Sequence, residues 1–151
     1  RLALLRSVSH AYGLAALRVG SGHGRPGLVH ELHRLRAPFT VGTAGQVAAR
    51  VALEDQSHLR QAVAATIRDR RALSAALAAL GLQVAPSEAN FVLVDVGQPG
   101  RAVYEALLRE GVIVRPMAAP LDAMIRVTVG LPDENKRFLA ALQRVLKDRR
   151  A

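Results

Sequence analysis

Two serines and an arginine near the start of the chain flank a turn that contains glycine. Ser7 and Ser9 follow an apolar run, and Arg18 comes after Gly13. Hydroxyl groups and a guanidinium group can together donate several hydrogen bonds to one phosphate, so this combination could bind an anion. Serine and glycine also occur in many turns for geometric reasons alone, and the spacing by itself favours that structural role.

The histidines of the chain form no recognisable metal site in the sequence. His30 and His33 could share one face of a helix, but no cysteine or carboxylate stands at a spacing that would complete a ligand set. We therefore expect no bound metal. Four histidines are interpreted as surface residues: His23, His30, His33 and His58.

The elements that position the first motif can be predicted from the spacing of apolar residues. Residues 2–7 are typical of a short buried strand, and a second short strand is expected near residues 17–20. Three leucines at helical spacing predict an amphipathic helix over residues 27–36, which Pro38 would close. These elements would leave the serines and the arginine in the connections between them.

A long helical region follows, and the chain then changes to short elements. Residues 43–80 predict two helices with a break at residues 55–57, and Gly81 is a plausible helix end. Strands alternating with helices after Gly81 indicate an α/β or α+β domain. The predicted strands cover residues 82–84, 90–96, 112–114 and 125–129, and the predicted helices cover residues 101–110 and 132–146.

The composition limits the classes of function that fit the chain. The formal net charge is +9 over 151 residues, but the arginines are dispersed rather than clustered, so we expect no nucleic-acid binding. The apolar stretches are shorter than the roughly 20 residues that span a bilayer, so we expect no membrane insertion. The absence of cysteine is compatible with a cytoplasmic location.

Five segments in order resemble the histidinol-phosphate branch of the fold-type I aminotransferases. Residues 7–20 resemble its Ser-Lys-Ala-Tyr/Phe-Gly-Leu-Ala-Gly-Leu-Arg motif, with Ala16 where the motif usually has Gly. The other segments are residues 36–41 (Arg-Ala-Pro-Phe-Thr-Val), 87–93 (Ser-Glu-Ala-Asn-Phe-Val-Leu), 111–117 (Gly-Val-Ile-Val-Arg-Pro-Met) and 125–135 (Ile-Arg-Val-Thr-Val-Gly-Leu-Pro-Asp-Glu-Asn). Together they cover nearly the whole chain, which makes the resemblance far more specific than any one segment.

The resemblance implies a fold, a cofactor and a set of site residues. The chain would be the carboxy-terminal part of a fold-type I, pyridoxal-phosphate-dependent transferase, with residues 1–55 at the edge of the large cofactor-binding domain and residues 56–151 as the small α/β domain. Ser7, Ser9 and Arg18 would hold the phosphate of pyridoxal phosphate. Arg126 would bind the α-carboxylate of the substrate, and Asn90 is a second-rank candidate for substrate contact.

His10 departs from the family motif at its most important position. The lysine that forms the Schiff base with the cofactor should follow Ser9, and an imidazole has no primary amine to condense with an aldehyde. His10 could act only as a weak general base. The cofactor-stacking ring and the aspartate that pairs with the pyridine nitrogen belong to the family's amino-terminal half and have no counterpart in this sequence.

The resemblance therefore predicts an enzyme family but not an active fragment. The family reaction is transamination between an L-amino acid, of the histidinol-phosphate or glutamate type, and a 2-oxo acid, and the intact protein is expected to be a homodimer. We expect this chain to transaminate little or not at all by itself. The alternatives are a non-catalytic relic that binds anions and a related decarboxylase of phosphorylated amino acids.

Overall fold

A computed structural model describes residues 2–148, which divide by their contacts into two units, residues 2–63 and residues 64–148. The first unit begins with an antiparallel hairpin of strands β1 (Ala3–Ser7) and β2 (Gly20–Gly24). Helices α1 (Pro26–Leu35) and α2 (Thr43–Glu54) follow. Proline occupies the start of α1, where its missing N–H group costs no hydrogen bond.

Two expectations about the hairpin were wrong. Strand β1 lies within the predicted range, but all five of its residues are exposed, because no further layer packs on it within residues 2–148. The second strand begins at Gly20 rather than near residue 17, since Ala15–Leu17 form a short 3-10 helix. Arg18 then adopts a left-handed backbone conformation, which interrupts extended structure before β2.

The predicted long helical region is confirmed, including its break. Helix α3 (Gln56–Ala79) starts directly after Asp55, whose Oδ1 accepts the backbone N–H of His58 at 2.9 Å. A carboxylate in this position satisfies a helix N–H group that would otherwise lack a partner. The boundary between the two units, at residues 63 and 64, falls within α3.

Gly81 ends helix α3 as predicted. Its φ of 79° is in the left-handed region, where glycine carries no steric penalty. The N–H of Gly81 donates to Ala78 O at 2.9 Å, and the N–H of Leu82 donates to Leu77 O at 3.3 Å. These two bonds are the Schellman arrangement that satisfies the last carbonyl groups of a helix.

The second unit is a four-stranded antiparallel sheet with helices α4 and α5 and the part of α3 that follows residue 63. The strands are β3 (Gln83–Val84), β4 (Phe91–Asp95), β5 (Arg115–Pro116) and β6 (Met124–Thr128), and they lie in the order β3-β4-β6-β5. Helices α4 (Gly100–Arg109) and α5 (Pro132–Asp148) complete the unit. Burial alternates along β4 and β6, so one face of the sheet joins the core and the other stays open.

The core of the second unit contains the apolar residues that the sequence predicted on its last helix. Phe138, Leu142 and Val145 of α5 are buried against the sheet cluster, together with Leu73 and Leu77 of α3. One strand prediction was wrong. Residues 112–114 form no strand, and the short strand β5 starts at Arg115, because only Arg115 and Pro116 pair with β6.

Candidate functional site

Ser7 and Ser9 form a small hydroxyl cluster at the end of strand β1. The Ser9 backbone N–H donates to Ser7 Oγ at 3.0 Å, and the Ser7 hydroxyl donates to Ser9 Oγ at 2.8 Å. The Ser9 hydroxyl keeps its own hydrogen available for a further acceptor. Ser7 is exposed and Ser9 is half-buried, so the cluster is accessible to an anion.

Arg18 lies after the 3-10 helix and is held by its own turn. Its Nη1 donates to Ala15 O at 2.8 Å, which leaves most of the five guanidinium N–H donors unused. The backbone is left-handed, with φ 54° and ψ 42°. Within residues 2–148 no carboxylate forms an ion pair with Arg18, so its charge is available to an anion.

The hairpin pairs the segment that contains Ser7 with the segment that follows Arg18. Ser7 pairs with Gly20 in the strand register, and the next pair continues it, since Val8 N–H donates to Val19 O at 3.3 Å. Arg18 directly precedes Val19 and is the left-handed residue at the end of the 3-10 helix, so the strand pairing does not extend to it. Close packing fixes this segment, because a Cβ at Gly20 would lie 2.7 Å from the carbonyl oxygen of Arg6.

His10 occupies the exposed turn that follows Ser9. Its carbonyl accepts the N–H of Gly13 at 3.0 Å, and Gly13 has a φ of 68°. In the described part of the chain, the imidazole makes no hydrogen bond to another residue, so it is free to face solvent or a ligand. The turn thus presents an exposed imidazole directly after Ser9.

Arg126 lies in the second unit, on the open face of the sheet. Its guanidinium carbon stands 5.0 Å from the centre of the Phe91 ring, in the geometry of a cation–π contact. Its Nε is shielded from solvent and finds no hydrogen-bond partner among the described residues. Strand pairing places Arg115 directly across the ladder from Arg126, so two guanidinium groups occupy neighbouring positions at this edge.

Asn90 directly precedes Phe91, the first residue of strand β4. Its backbone carbonyl accepts the N–H of Val129 at 2.9 Å, which ties the start of β4 to the end of β6. Its side chain is exposed and makes no hydrogen bond within residues 2–148. Asn90 is therefore adjacent in the chain to the residue whose ring lies beside the guanidinium of Arg126.

The loop before Asn90 is held by Arg70 and Ser87, which the sequence interpretation did not select. Arg70 Nη1 donates to Ala89 O at 2.9 Å, and Ser87 Oγ accepts the N–H of Ala89 at 3.1 Å. The sequence does contain a signal for Arg70. It lies three residues from both Ile67 and Leu73, on the apolar stripe of α3, where an arginine would be buried unless it had a partner.

Comparison with known proteins gives the family of the chain. Residues 1–142 match the family described as aminotransferase class I and II. The chain is 47% identical over 146 residues to histidinol-phosphate aminotransferase 2 of Pseudomonas fluorescens (strain Pf0-1), covering 96% of the chain and 40% of that relative. It is 46% identical over 145 residues to histidinol-phosphate aminotransferase of Anaeromyxobacter sp. (strain Fw109-5), covering 95% and 40%.

The chain belongs to the class I and II aminotransferase family. The fold agrees with a solved structure, that of histidinol-phosphate aminotransferase from Sinorhizobium meliloti in complex with pyridoxal-5'-phosphate. The TM-score is 0.88 at 32% identity, and the match covers 97% of the chain and 41% of that structure. The predicted fold-type I class is thereby confirmed, and the aminotransferase chain spans about 40% of the length of the curated relatives.

Two exposed arginines on the helices pair with neighbouring carboxylates. Hydrogen bonding to Asp69, with its charge attraction, raises the pKa of the exposed Arg68. Hydrogen bonding to Glu105 raises the pKa of the exposed Arg101 in the same way. Among residues 2–148, no group of three or more His, Cys, Asp or Glu residues could hold a metal ion. None of the described helices is both long and apolar enough to cross a membrane.

Proposed function

We propose that this chain is the carboxy-terminal part of a pyridoxal-phosphate-dependent aminotransferase. The intact protein would exchange an amino group between an L-amino acid, of the histidinol-phosphate or glutamate type, and a 2-oxo acid. It would act as a homodimer in the cytoplasm, and nucleic acid has no part in its function. This chain alone would catalyse little or no transamination.

The arrangement around Arg126 carries the proposal. A buried N–H without an acceptor costs on the order of 1–3 kcal/mol, and Arg126 Nε is such a group within residues 2–148. A carboxylate would remove that cost, because its two oxygens can accept parallel hydrogen bonds from Nε and one Nη. Phe91 keeps the guanidinium plane in place for this pairing. The group is therefore suited to the α-carboxylate of an amino acid.

The first unit supplies groups that suit the phosphate of the cofactor. The Ser9 hydroxyl and the unused donors of Arg18 can each donate to a phosphate oxygen. Ser7 would act mainly by orienting the hydroxyl of Ser9, since its own hydrogen is already donated. We assign Ser7, Ser9 and Arg18 to phosphate binding on this geometry.

The residues of this chain do not suit the aldehyde of pyridoxal phosphate. The position after Ser9 is His10, and imidazole cannot replace a primary amine in Schiff-base chemistry. The sequence contains two lysines, both on helix α5, and Lys136 already pairs with Asp133 at 3.1 Å. We therefore assign no reaction step of the cofactor to this chain, and His10 has at most the role of a weak base.

Borohydride reduction tests this proposal directly. The chain is incubated with pyridoxal phosphate, reduced and mapped by mass spectrometry, next to the variant His10→Lys. We expect a pyridoxyl group at residue 10 in the variant and none on a specific lysine in the unaltered chain. Stoichiometric labelling of Lys136 or Lys147 in the unaltered chain, or measurable transamination by it, would contradict the proposal.

The two alternatives predict different products. A non-catalytic relic would bind phosphate esters and would stay inactive when the amino-terminal half of a relative is supplied together with His10→Lys. A decarboxylase of phosphorylated amino acids would release carbon dioxide under those conditions, whereas an aminotransferase would convert the 2-oxo acid into an amino acid. Amino-acid analysis and carbon dioxide release therefore separate the three functions.

A further inference from the structure

Arg70 is the buried charged residue of the described chain. Only 5% of its surface is exposed, and it shares the inner face of α3 with Leu73 and Leu77. Removing a charged group from water costs several kcal/mol unless hydrogen bonds and an opposite charge compensate. An apolar residue would fill this position without that cost, so the core alone gives no reason for an arginine here.

The partners of Arg70 all belong to the loop that precedes strand β4. Nη1 donates to Ala89 O at 2.9 Å, and Nη2 pairs with Glu88 Oε2 at 2.5 Å. The side chain of Glu88 is 93% exposed, so the ion pair runs from the interior to the surface. Because one of the two acceptors is a backbone carbonyl, Arg70 fixes the path of the chain as well as a side chain.

Further bonds make this loop continuous with the two substrate-site candidates. Ser87 Oγ accepts the N–H of Ala89 at 3.1 Å and donates to Phe91 O at 2.6 Å. Asn90 O accepts the N–H of Val129 at 2.9 Å. The backbone is thus held on both sides of Asn90, while the exposed side chain of Asn90 stays unbonded among the described residues.

We propose that Arg70 is a positioning residue for the carboxylate site at Arg126. By holding the carbonyl of Ala89, it fixes the positions of Asn90 and of the Phe91 ring, against which the guanidinium of Arg126 lies. The inference rests on the proposed function, because it takes Arg126 as the group that binds the carboxylate. Arg70 itself does not touch the substrate. It acts through the backbone of residues 88–91. Its two hydrogen bonds, together with the bond from the Ser87 hydroxyl to Phe91 O, fix the geometry of that segment.

Nuclear magnetic resonance of the 151-residue chain tests the inference without requiring activity. The probe is L-alanine, which carries one α-carboxylate, and L-alaninamide is the control that lacks it. The signals followed are the Nε–H of Arg126 and the side-chain amide of Asn90. We expect L-alanine, and not L-alaninamide, to shift both signals.

Three variants separate a positioning role from a merely structural one. Arg70→Met should weaken L-alanine binding about tenfold, equivalent to about 1.4 kcal/mol, and broaden the Arg126 Nε–H signal. The backbone signals of α4 and α5 should stay in place. Arg70→Lys keeps the charge but replaces the two donor nitrogens of the guanidinium with one ammonium nitrogen, and it should recover part of the affinity. Arg68→Met is the matched control, because Arg68 pairs with Asp69 on the same helix; it should bind as the unaltered chain does.

Arg126→Met distinguishes failure of the inference from failure of the proposed function. If Arg126→Met leaves L-alanine binding unchanged, or if the unaltered chain shows no shift at Arg126, the proposed carboxylate site is wrong and the inference falls with it. If Arg126→Met abolishes binding while Arg70→Met retains full affinity, the inference alone is overturned. Should Arg70→Met fail to fold, Arg70→Lys decides: weaker binding with an unchanged backbone spectrum supports the inference, and full affinity overturns it.

Discussion

Asn135 makes two hydrogen bonds to the backbone of Gly130, a pair of bonds referred to below as the clamp. Removing its side chain should lower the free energy of unfolding of the second unit by a predictable amount. Gly130 N–H donates to Asn135 Oδ1 at 3.0 Å, and Asn135 Nδ2 donates to Gly130 O at 2.9 Å. Both bonds are partly buried, and a typical hydrogen bond contributes about 1 kcal/mol net. The clamp therefore contributes about 2 kcal/mol, and it fixes the chain just after the strand that carries Arg126.

The expected cost of Asn135→Ala is smaller than that sum, because the position is helical. Asn135 lies in the first turns of α5, where alanine is favoured over asparagine by up to about 0.7 kcal/mol. The net loss in the free energy of unfolding should be about 1.3 kcal/mol. For a unit of this size, residues 64–148, that corresponds to a fall in Tm of about 5–10 °C.

Urea unfolding followed at the backbone signals of residues 64–148 measures this loss in the second unit itself. Asn90→Ala is the matched control, because the Asn90 side chain has no hydrogen bond within the described residues and lies outside any helix. Its stability should change by less than about 0.5 kcal/mol. If the two variants were equally stable, the clamp would contribute nothing and the reasoning would be refuted.

Two further predictions concern the core and the phosphate site. Leu107→Ala should lower the free energy of unfolding by about 2–5 kcal/mol, because Leu107 is fully buried. Ile113→Ala should lower it by under about 0.5 kcal/mol, because Ile113 is 79% exposed. Similar losses for the two variants in urea unfolding would contradict the described core. Arg18→Ala should weaken binding of a phosphate monoester about tenfold in a calorimetric titration. Arg25→Ala should leave the affinity unchanged, because Arg25 is an exposed arginine outside the proposed phosphate site. Equal affinities of the two variants would remove Arg18 from the site.

Features set by local sequence were predictable. The break before α3 and the end of that helix depend on Asp55 and Gly81, whose capping bonds are made within a few residues of the chain. The apolar spacing of α5 likewise identified the residues that face the core. Such elements depend on periodicity and capping, both of which can be read from a single sequence.

Features set by pairing were not predictable in the same way. The apolar run at residues 112–114 looks like a strand, but strand β5 exists only where β6 offers a partner, at Arg115 and Pro116. The exposure of β1 has the same origin, because an apolar strand is buried only when another layer packs on it. Arg18 adds a local reason, since its left-handed backbone delays the second strand until Gly20.

The residues of the candidate site could be selected from sequence motifs, but the residue that supports them could not. Ser7, Ser9, Arg18, Asn90 and Arg126 were selected by resemblance, and their assignment stays a proposal. The role of Arg70 needed coordinates, because its partners are 18 and 19 residues away along the chain. A spacing pattern shows that an arginine stands on an apolar stripe, but only the fold shows which carbonyl it holds.

The register of β4 against β6 specifies the core and the carboxylate site together. Val92 pairs with Val127 on the buried face, and Leu93 pairs with Arg126 on the open face. A slip of one residue would turn the guanidinium into the core and expose apolar side chains, so every arrangement that misplaces Arg126 also loses buried apolar area. Selection for a stable sheet therefore maintains the direction of Arg126 without a separate constraint. What the sheet cannot set is the fine position of the Phe91 ring, which depends on the loop that Arg70 holds.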